Sequence, residues 1–151
     1  MYLLHIASQQ HMLLDSEITI IKQVEIPEAF ISIRSDGIVP VHYKKNTVLD
    51  VDLQMRCLDI YAEILDRKKM KFIFSADDGF MLTKEARENA PKVQVRSPIL
   101  YYAIIANNLA YKIIANFYIK VMKPAGNYKI FNTVEAGVKW LHSFKDEDSK
   151  L

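Results

Sequence analysis

Ile99-Leu100-Tyr101-Tyr102-Ala103-Ile104-Ile105-Ala106 carries no charged residue and offers an apolar surface on both alternating sides. A strand with one wet face would alternate apolar and polar residues, so this run reads as a central strand covered above and below. A buried helix would give a similar run, but the β-branched and aromatic content favours a strand, set at Ile99–Asn107. Coverage on two faces requires helices on two sides of a sheet, and that requirement decides the fold class.

The chain on either side supplies those helices. Asn107 and Asn108 end the run with side chains suited to helix capping. Ala110, Ile113, Ile114, Phe117 and Val121 then recur at three- and four-residue steps, which predicts a helix over 108–121. Pro124 and Gly126 turn the chain, and a short strand follows at Asn127–Phe131. Asn132 and Glu135 have capping-box spacing ahead of a last helix, 132–144. Its buried face is Val134, Val138, Leu141 and Phe144, with Trp140 beside it. Two strand–helix units in tandem result.

Upstream, Ala29–Arg34 and Ile38–Tyr43 flank Ser35-Asp36-Gly37, and Asp-Gly between apolar runs signals a hairpin. Pro40 lacks an N–H and leaves a gap or bulge in the second strand. Asp50 is placed as the cap of a helix to Arg67 with Leu53, Cys57, Ile60, Tyr61 and Ile64 inward, closed by Lys68-Lys69. Met70–Ser75 is then a strand parallel to the second, by a right-handed crossover. After a turn at Ala76–Gly79, Thr83 caps a short helix through Asn89 that Pro91 stops. Residues 17–26 are rich in β-branched side chains and read as an edge or intermolecular strand, while residues 1–16 show no clean period.

Length and composition restrict the function classes. One domain is expected of 151 residues that are 50% hydrophobic and 25% charged. The net charge of +2 argues against nucleic acid as a partner. Charge is nevertheless uneven, because residues 91–145 carry eight Lys or Arg against Glu135 alone, before an acidic tail at 146–151. Cys57 stands alone, so no internal disulfide or cysteine-based metal centre forms, as suits a reducing cytoplasm. No stretch reads as a signal peptide or approaches the ~20 apolar residues of a membrane span. The histidines, His5, His11, His42 and His142, have no metal-ligand spacing. Nucleotide-binding glycine loops and the G-x-S-x-G motif are absent, and no spacing proposes a Ser-His-Asp group.

Several short segments recur together in order: Asp36-Gly37-Ile38, Asn46-Thr47-Val48-Leu49, Thr83-Lys84-Glu85-Ala86-Arg87, Ile114-Ala115-Asn116-Phe117, Lys123-Pro124 and Val138-Lys139-Trp140-Leu141. Their order and spacing resemble a bacterial family of small SpoIIAA-like (STAS-like) domains of unassigned function. The resemblance covers 28–145, with residues 1–27 as an N-terminal extension made of an irregular arm and an extra strand. It implies an α/β fold, a mixed β-sheet of four to five strands flanked by helices. It also implies kinship with anti-sigma-factor antagonists, which act by protein contact and are switched by phosphorylation within an Asp-Ser-Ser/Thr-Gly segment. This chain has Leu82-Thr83-Lys84-Glu85 there, which keeps the hydroxyl and lacks the flanking Asp and Gly.

Thr83 is therefore a candidate phosphoacceptor or simply a helix cap. A phosphate would meet unpaired amides at the helix start, whereas Ser and Thr are common there for structural reasons alone. Lys112, Asn116, Lys120 and Lys123 are candidates for contact with an anion or partner, or form the solvated side of an amphipathic helix. Cys57, on an inward helical face, reads as a small hydrophobe. The function expected is a non-catalytic, cytoplasmic module acting through protein contact, with a homodimer through residues 17–26 as one form. The alternative is a domain that binds small anions, lipid headgroups or a membrane surface. Neither an enzymatic role nor a metal or other cofactor is expected.

Overall fold

The computed structural model describes residues 17–107, 112 and 127–144. Its main sheet has six strands: β1 (Ile20–Ile26), β2 (Ala29–Arg34), β3 (Ile38–Tyr43), β5 (Met70–Ala76), β7 (Ile99–Ile105) and β8 (Asn127–Phe131). They lie in the order β1-β2-β3-β5-β7-β8. The first three pair antiparallel and β3, β5, β7 and β8 run parallel, so the sheet is mixed. Two short strands, β4 (Val48–Leu49) and β6 (Met81–Leu82), form a parallel pair of their own. Helices α1 (Val51–Ile64), α2 (Lys84–Arg96) and α3 (Val134–His142) complete the described elements. This α/β architecture is the one the SpoIIAA-like resemblance implies, with more strands than the expected four to five, because Ile20–Ile26 joins the sheet as its edge.

The turns follow from local chemistry. Ile26 pairs with Ala29 across Pro27-Glu28, and proline fixes φ for such a tight reversal. Between β2 and β3, Gly37 takes φ +85 and donates to the Arg34 carbonyl at 3.0 Å. That conformation suits glycine, which has no Cβ to clash. The buried Arg34 guanidinium grips the Asp36 carboxylate through two bonds of 2.9 and 2.7 Å, which holds the turn. Pro40 is accommodated within β3 opposite Ile73.

Strand β7 lies inside the sheet between β5 and β8, and its last four residues are buried. Tyr102 and Ile104 face a core formed with α1 and the same face of β2, β3 and β5, including Ile31, Val41, Phe72, Leu53 and Tyr61. Ala103 and Ile105 face the other way, into a smaller cluster with Ile38, Ile73 and Leu141 of α3. Alternation along one apolar strand thus feeds two cores. Helix α3 approaches closely at Gly137, where an added Cβ would come within 3.0 Å of Ile105 and 3.2 Å of Ala103 and Ile73. Its C-terminal end is tied down by Lys71, whose ammonium donates to the Phe144 carbonyl at 2.7 Å, and by a 2.8 Å contact between His142 and Asp36.

Four expectations need correction. Helix α2 does not stop at Pro91: it runs on to Arg96 with Pro91 inside it. Proline removes one N–H but the flanking turns and packing carry the helix past it. Helix α1 ends at Ile64, short of Arg67, with no basic residue in its last turn, and the exit turn is made by Asp66 and Arg67 at positive φ (49 and 61) rather than by Lys68-Lys69. The cap of α3 is Thr133, not Asn132, its hydroxyl accepting the Ala136 N–H at 3.2 Å. Strand β7 ends at Ile105, short of Asn107. The predicted arm at 1–16, helix 108–121 (Lys112 apart) and acidic tail at 146–151 lie outside the described residues. Among the described residues, no helix is long and apolar enough to cross a membrane.

Candidate functional site: a cavity beneath two paired helix starts

Both helices on the larger-core side begin from the small β4–β6 pair. Asp50 caps α1 by accepting the Leu53 N–H at 2.8 Å, and Thr83 caps α2 by accepting the Ala86 N–H at 3.0 Å. The Thr83 N–H donates to the Leu49 carbonyl at 3.1 Å, so the two helix starts are stitched side by side. Further along, buried Gln54 of α1 donates to the Ala86 carbonyl at 2.9 Å and accepts from Asn89 of α2 at 3.1 Å. These bonds hold the helices together near their starts. Beyond them much of α2 is exposed, with Val95 82% accessible.

The space left between the helices and the sheet is a cavity of about 170 Å³. Leu49, Phe80, Leu82, Ala90 and Val93 line it from the β4–β6 side and α2, and Phe74, Ile99, Tyr102 and Ile104 from the sheet. Ring contacts brace the walls: Tyr43 against Phe80 at 5.0 Å, and Phe74 edge-on to Tyr102 at 5.9 Å. Among the described residues, its lining holds no Asp, Glu, Lys, Arg or His side chain.

Three polar side chains enter this apolar lining side by side. Tyr43 comes from β3, while Cys57 and Tyr61 come from one face of α1, four residues apart. The Tyr61 side chain lies beside Tyr43 and Cys57, close enough for each to influence its ionisation. Burial pushes the Cys57 thiol up to about 11, against a smaller opposing effect of Tyr61. Burial likewise holds the Tyr61 phenol well above its ordinary value, helped by Tyr43 and Cys57. At neutral pH Cys57 and Tyr61 are uncharged, and Cys57 is a poor nucleophile there. Among the described residues, the cavity offers apolar walls and neutral polar groups to whatever fills it.

Sequence reasoning placed Cys57 and Tyr61 on an inward face but missed their meeting with Tyr43, which arises only when β3 passes beneath α1. A second polar group was also missed. His42 on β3 contacts Ser75 on β5 through Nδ1 at 2.8 Å and Asp77 through Nε2 at 2.9 Å. His42 and Ser75 are register partners on adjacent parallel strands. The trio has the residue types of a hydrolytic triad, but the neighbouring Asp77 N–H is already donated to the Tyr43 carbonyl at 2.9 Å. That amide is therefore not open to an oxyanion. The trio secures the chain as it leaves β5.

Of the candidates from sequence, Thr83 occupies a half-buried cap and Lys112 donates to Asn132 at 3.3 Å. Asn116, Lys120 and Lys123 lie outside the described residues. Among the described residues, no group of three His, Cys, Asp or Glu side chains is placed to hold a metal ion.

Comparison with known proteins adds a family and a fold likeness. The chain is similar to a crystal structure of an uncharacterized protein from the DUF3478 family, with a SpoIIAA-like fold, from Shewanella loihica PV-4. That match has 13% identity and a TM-score of 0.49, and covers 82% of this chain and 93% of the other. No protein with a curated description matches the sequence. Residues 31–145 match the family profile described as a domain of unknown function (DUF7793), and the chain belongs to that family.

Proposed function

We propose that this chain is a non-catalytic binding module that accepts a small molecule between α1, α2 and the sheet. The observation that carries the reading is the cavity of about 170 Å³, apolar apart from a few neutral polar groups. Sites for small ligands are concave and mostly apolar, with a small number of placed polar groups. A binding role fits the neutrality of Cys57 and Tyr61, and the regulatory role implied by the SpoIIAA-like resemblance needs no chemistry at the site.

Methyl-resolved NMR with small apolar fragments tests it. Shifts should cluster on Leu49, Leu82, Val93, Ile99 and Ile104, and should disappear in Ala90→Leu, which fills the space from α2. Fragments that leave these methyls unmoved, or move them equally in Ala90→Leu, would refute the proposal.

A second reading, contact with another protein or a second copy through β1, is favoured by one observation. Strand β1 lies at the sheet edge with Ile21 66% exposed. An open edge can accept a further strand. Light scattering across micromolar concentrations tests the homodimer, and a mass that stays monomeric, or a dimer indifferent to Ile21→Lys, would sink it. For the anion or headgroup alternative the described residues contribute only Lys112, which is engaged with Asn132.

A further inference from the structure

We infer that α2 is hinged at Pro91 and that its second half, residues 91–96, is a movable wall of the cavity. The hinge stands on the helix itself, while the role as a wall rests on the cavity reading above.

The hinge begins with covalent chemistry. Each residue inside an α-helix donates its N–H to the carbonyl four positions earlier. Pro91 lies inside α2 and has no N–H, so it makes no bond to the Arg87 carbonyl. Its ring also crowds that carbonyl, and helices bend where such a bond is lost.

Anchorage divides at the same residue. Thr83 caps the helix start through the Ala86 N–H, and its own N–H binds the Leu49 carbonyl. Gln54 of α1 donates to the Ala86 carbonyl and accepts from Asn89. Ala86 and Ala90 are buried. Every one of these ties lies before Pro91. After it, Lys92, Val95 and Arg96 are exposed. Among the described residues, no hydrogen bond or ion pair joins 91–96 to another element.

The inward side chains of this half, Val93 and Gln94, border the cavity. Side chains that face a void forgo the dispersion contacts a filled core supplies. The far end is pinned again just beyond the helix, where Ser97 is buried and the Pro98 carbonyl accepts the Met70 N–H at 2.8 Å. Residues 91–96 therefore form a strap about 9 Å long, held at both ends and loose between them. Outward movement withdraws Val93 and Gln94 and enlarges the cavity, and inward movement closes it on a guest. Neither movement breaks the Gln54 clamp on the first half.

Hydrogen exchange on the full chain, read by NMR, tests the hinge without any guest. Amides of residues 92–96 should exchange at least about tenfold faster than those of residues 87–90, through a local opening that leaves the sheet intact. A fraying helix end would give the same gradient, so Pro91→Ala decides between them. Restoring the N–H should slow exchange at 92–96 about tenfold, whereas fraying from Ser97 would be indifferent to it. Equal exchange on the two sides of Pro91, or a gradient unchanged in Pro91→Ala, would overturn the hinge. Pro91→Gln carries the same expectation if Pro91→Ala does not fold. Toluene then tests the wall: at saturation it should slow exchange at 92–96 in the unaltered chain by about threefold or more. Toluene that shifts the Leu82 and Ile99 methyls yet leaves that exchange unchanged would overturn the wall and leave the cavity reading standing. Toluene that moves no methyl overturns the wall together with the cavity reading, and the hinge is still decided by Pro91→Ala.

Discussion

Alkaline pH should weaken the folded state through Cys57, and by an amount that the structure fixes. The thiol is 2% exposed, and burial raises it from 9.0 to about 11 in the native chain. A thiol raised on folding keeps its full contribution below the unfolded value. That contribution is lost as pH climbs from 9.0 toward 11, because the unfolded chain releases its proton first. Between pH 8 and pH 10 the loss attributable to this one group comes to about 1.3 kcal/mol. Urea unfolding at the two pH values, for the unaltered chain and Cys57→Ala, isolates it. Other groups titrate in both proteins, so the difference of differences reports the thiol. The same displacement lowers the thiolate fraction at pH 8 about a hundredfold, so native Cys57 should alkylate with iodoacetamide at least that much more slowly than in urea. Parallel pH dependences for the two proteins, or alkylation of the native chain at the unfolded rate, would refute the argument. Either result would mean that water solvates the thiol in the native chain.

Two further predictions concern the helices. Pro91→Ala, on the exposed side of α2, should raise stability by about 1–2 kcal/mol, since alanine restores a backbone N–H and suits a helix interior, offset in part by a freer unfolded chain. Denaturant titration checks it, and a loss would show that the proline is needed where it stands. Gly137→Val should cost about 2 kcal/mol or more, because even a Cβ there would crowd Ile105, Ala103 and Ile73 at 3.0–3.2 Å. A melting temperature equal to that of the unaltered chain would place α3 farther from the sheet than described.

The stability of the larger core bears on how the site could form at all. Phe72 is fully buried at the centre of the sheet, edge-on to Tyr61 at 5.0 Å, so the floor beside the cavity is rigid aromatic packing. Above it, α2 is held by its capped start and by Gln54, while its later turns are exposed and contain Pro91. A rigid floor beneath a roof tied mainly at one end offers a route for a guest to enter without unfolding the sheet.

Taken alone, the sequence determined the strands of the main sheet and its two-sided character, but not the short pair Val48–Leu49 and Met81–Leu82. The hairpin Ala29–Arg34 to Ile38–Tyr43 and the strand Asn127–Phe131 lie where period and turn residues put them, and Asp50 and Thr83 cap the helices they were expected to cap. These features are local: a turn residue, a cap or an alternating run acts within a few positions of itself. Helix ends were less legible at Pro91, at Lys68-Lys69 and at Asn132, because packing against neighbours outweighed the signals of single residues. Only the tertiary structure brought Tyr43 of β3 under Cys57 and Tyr61 of α1, set Ser75 beside His42, and opened a cavity between helices whose faces both looked merely buried. Hydrophobic pattern records that a side chain leaves water, not which distant side chain it meets. A void is defined by the groups around it, and here they come from five strands, two helices and the segments joining them.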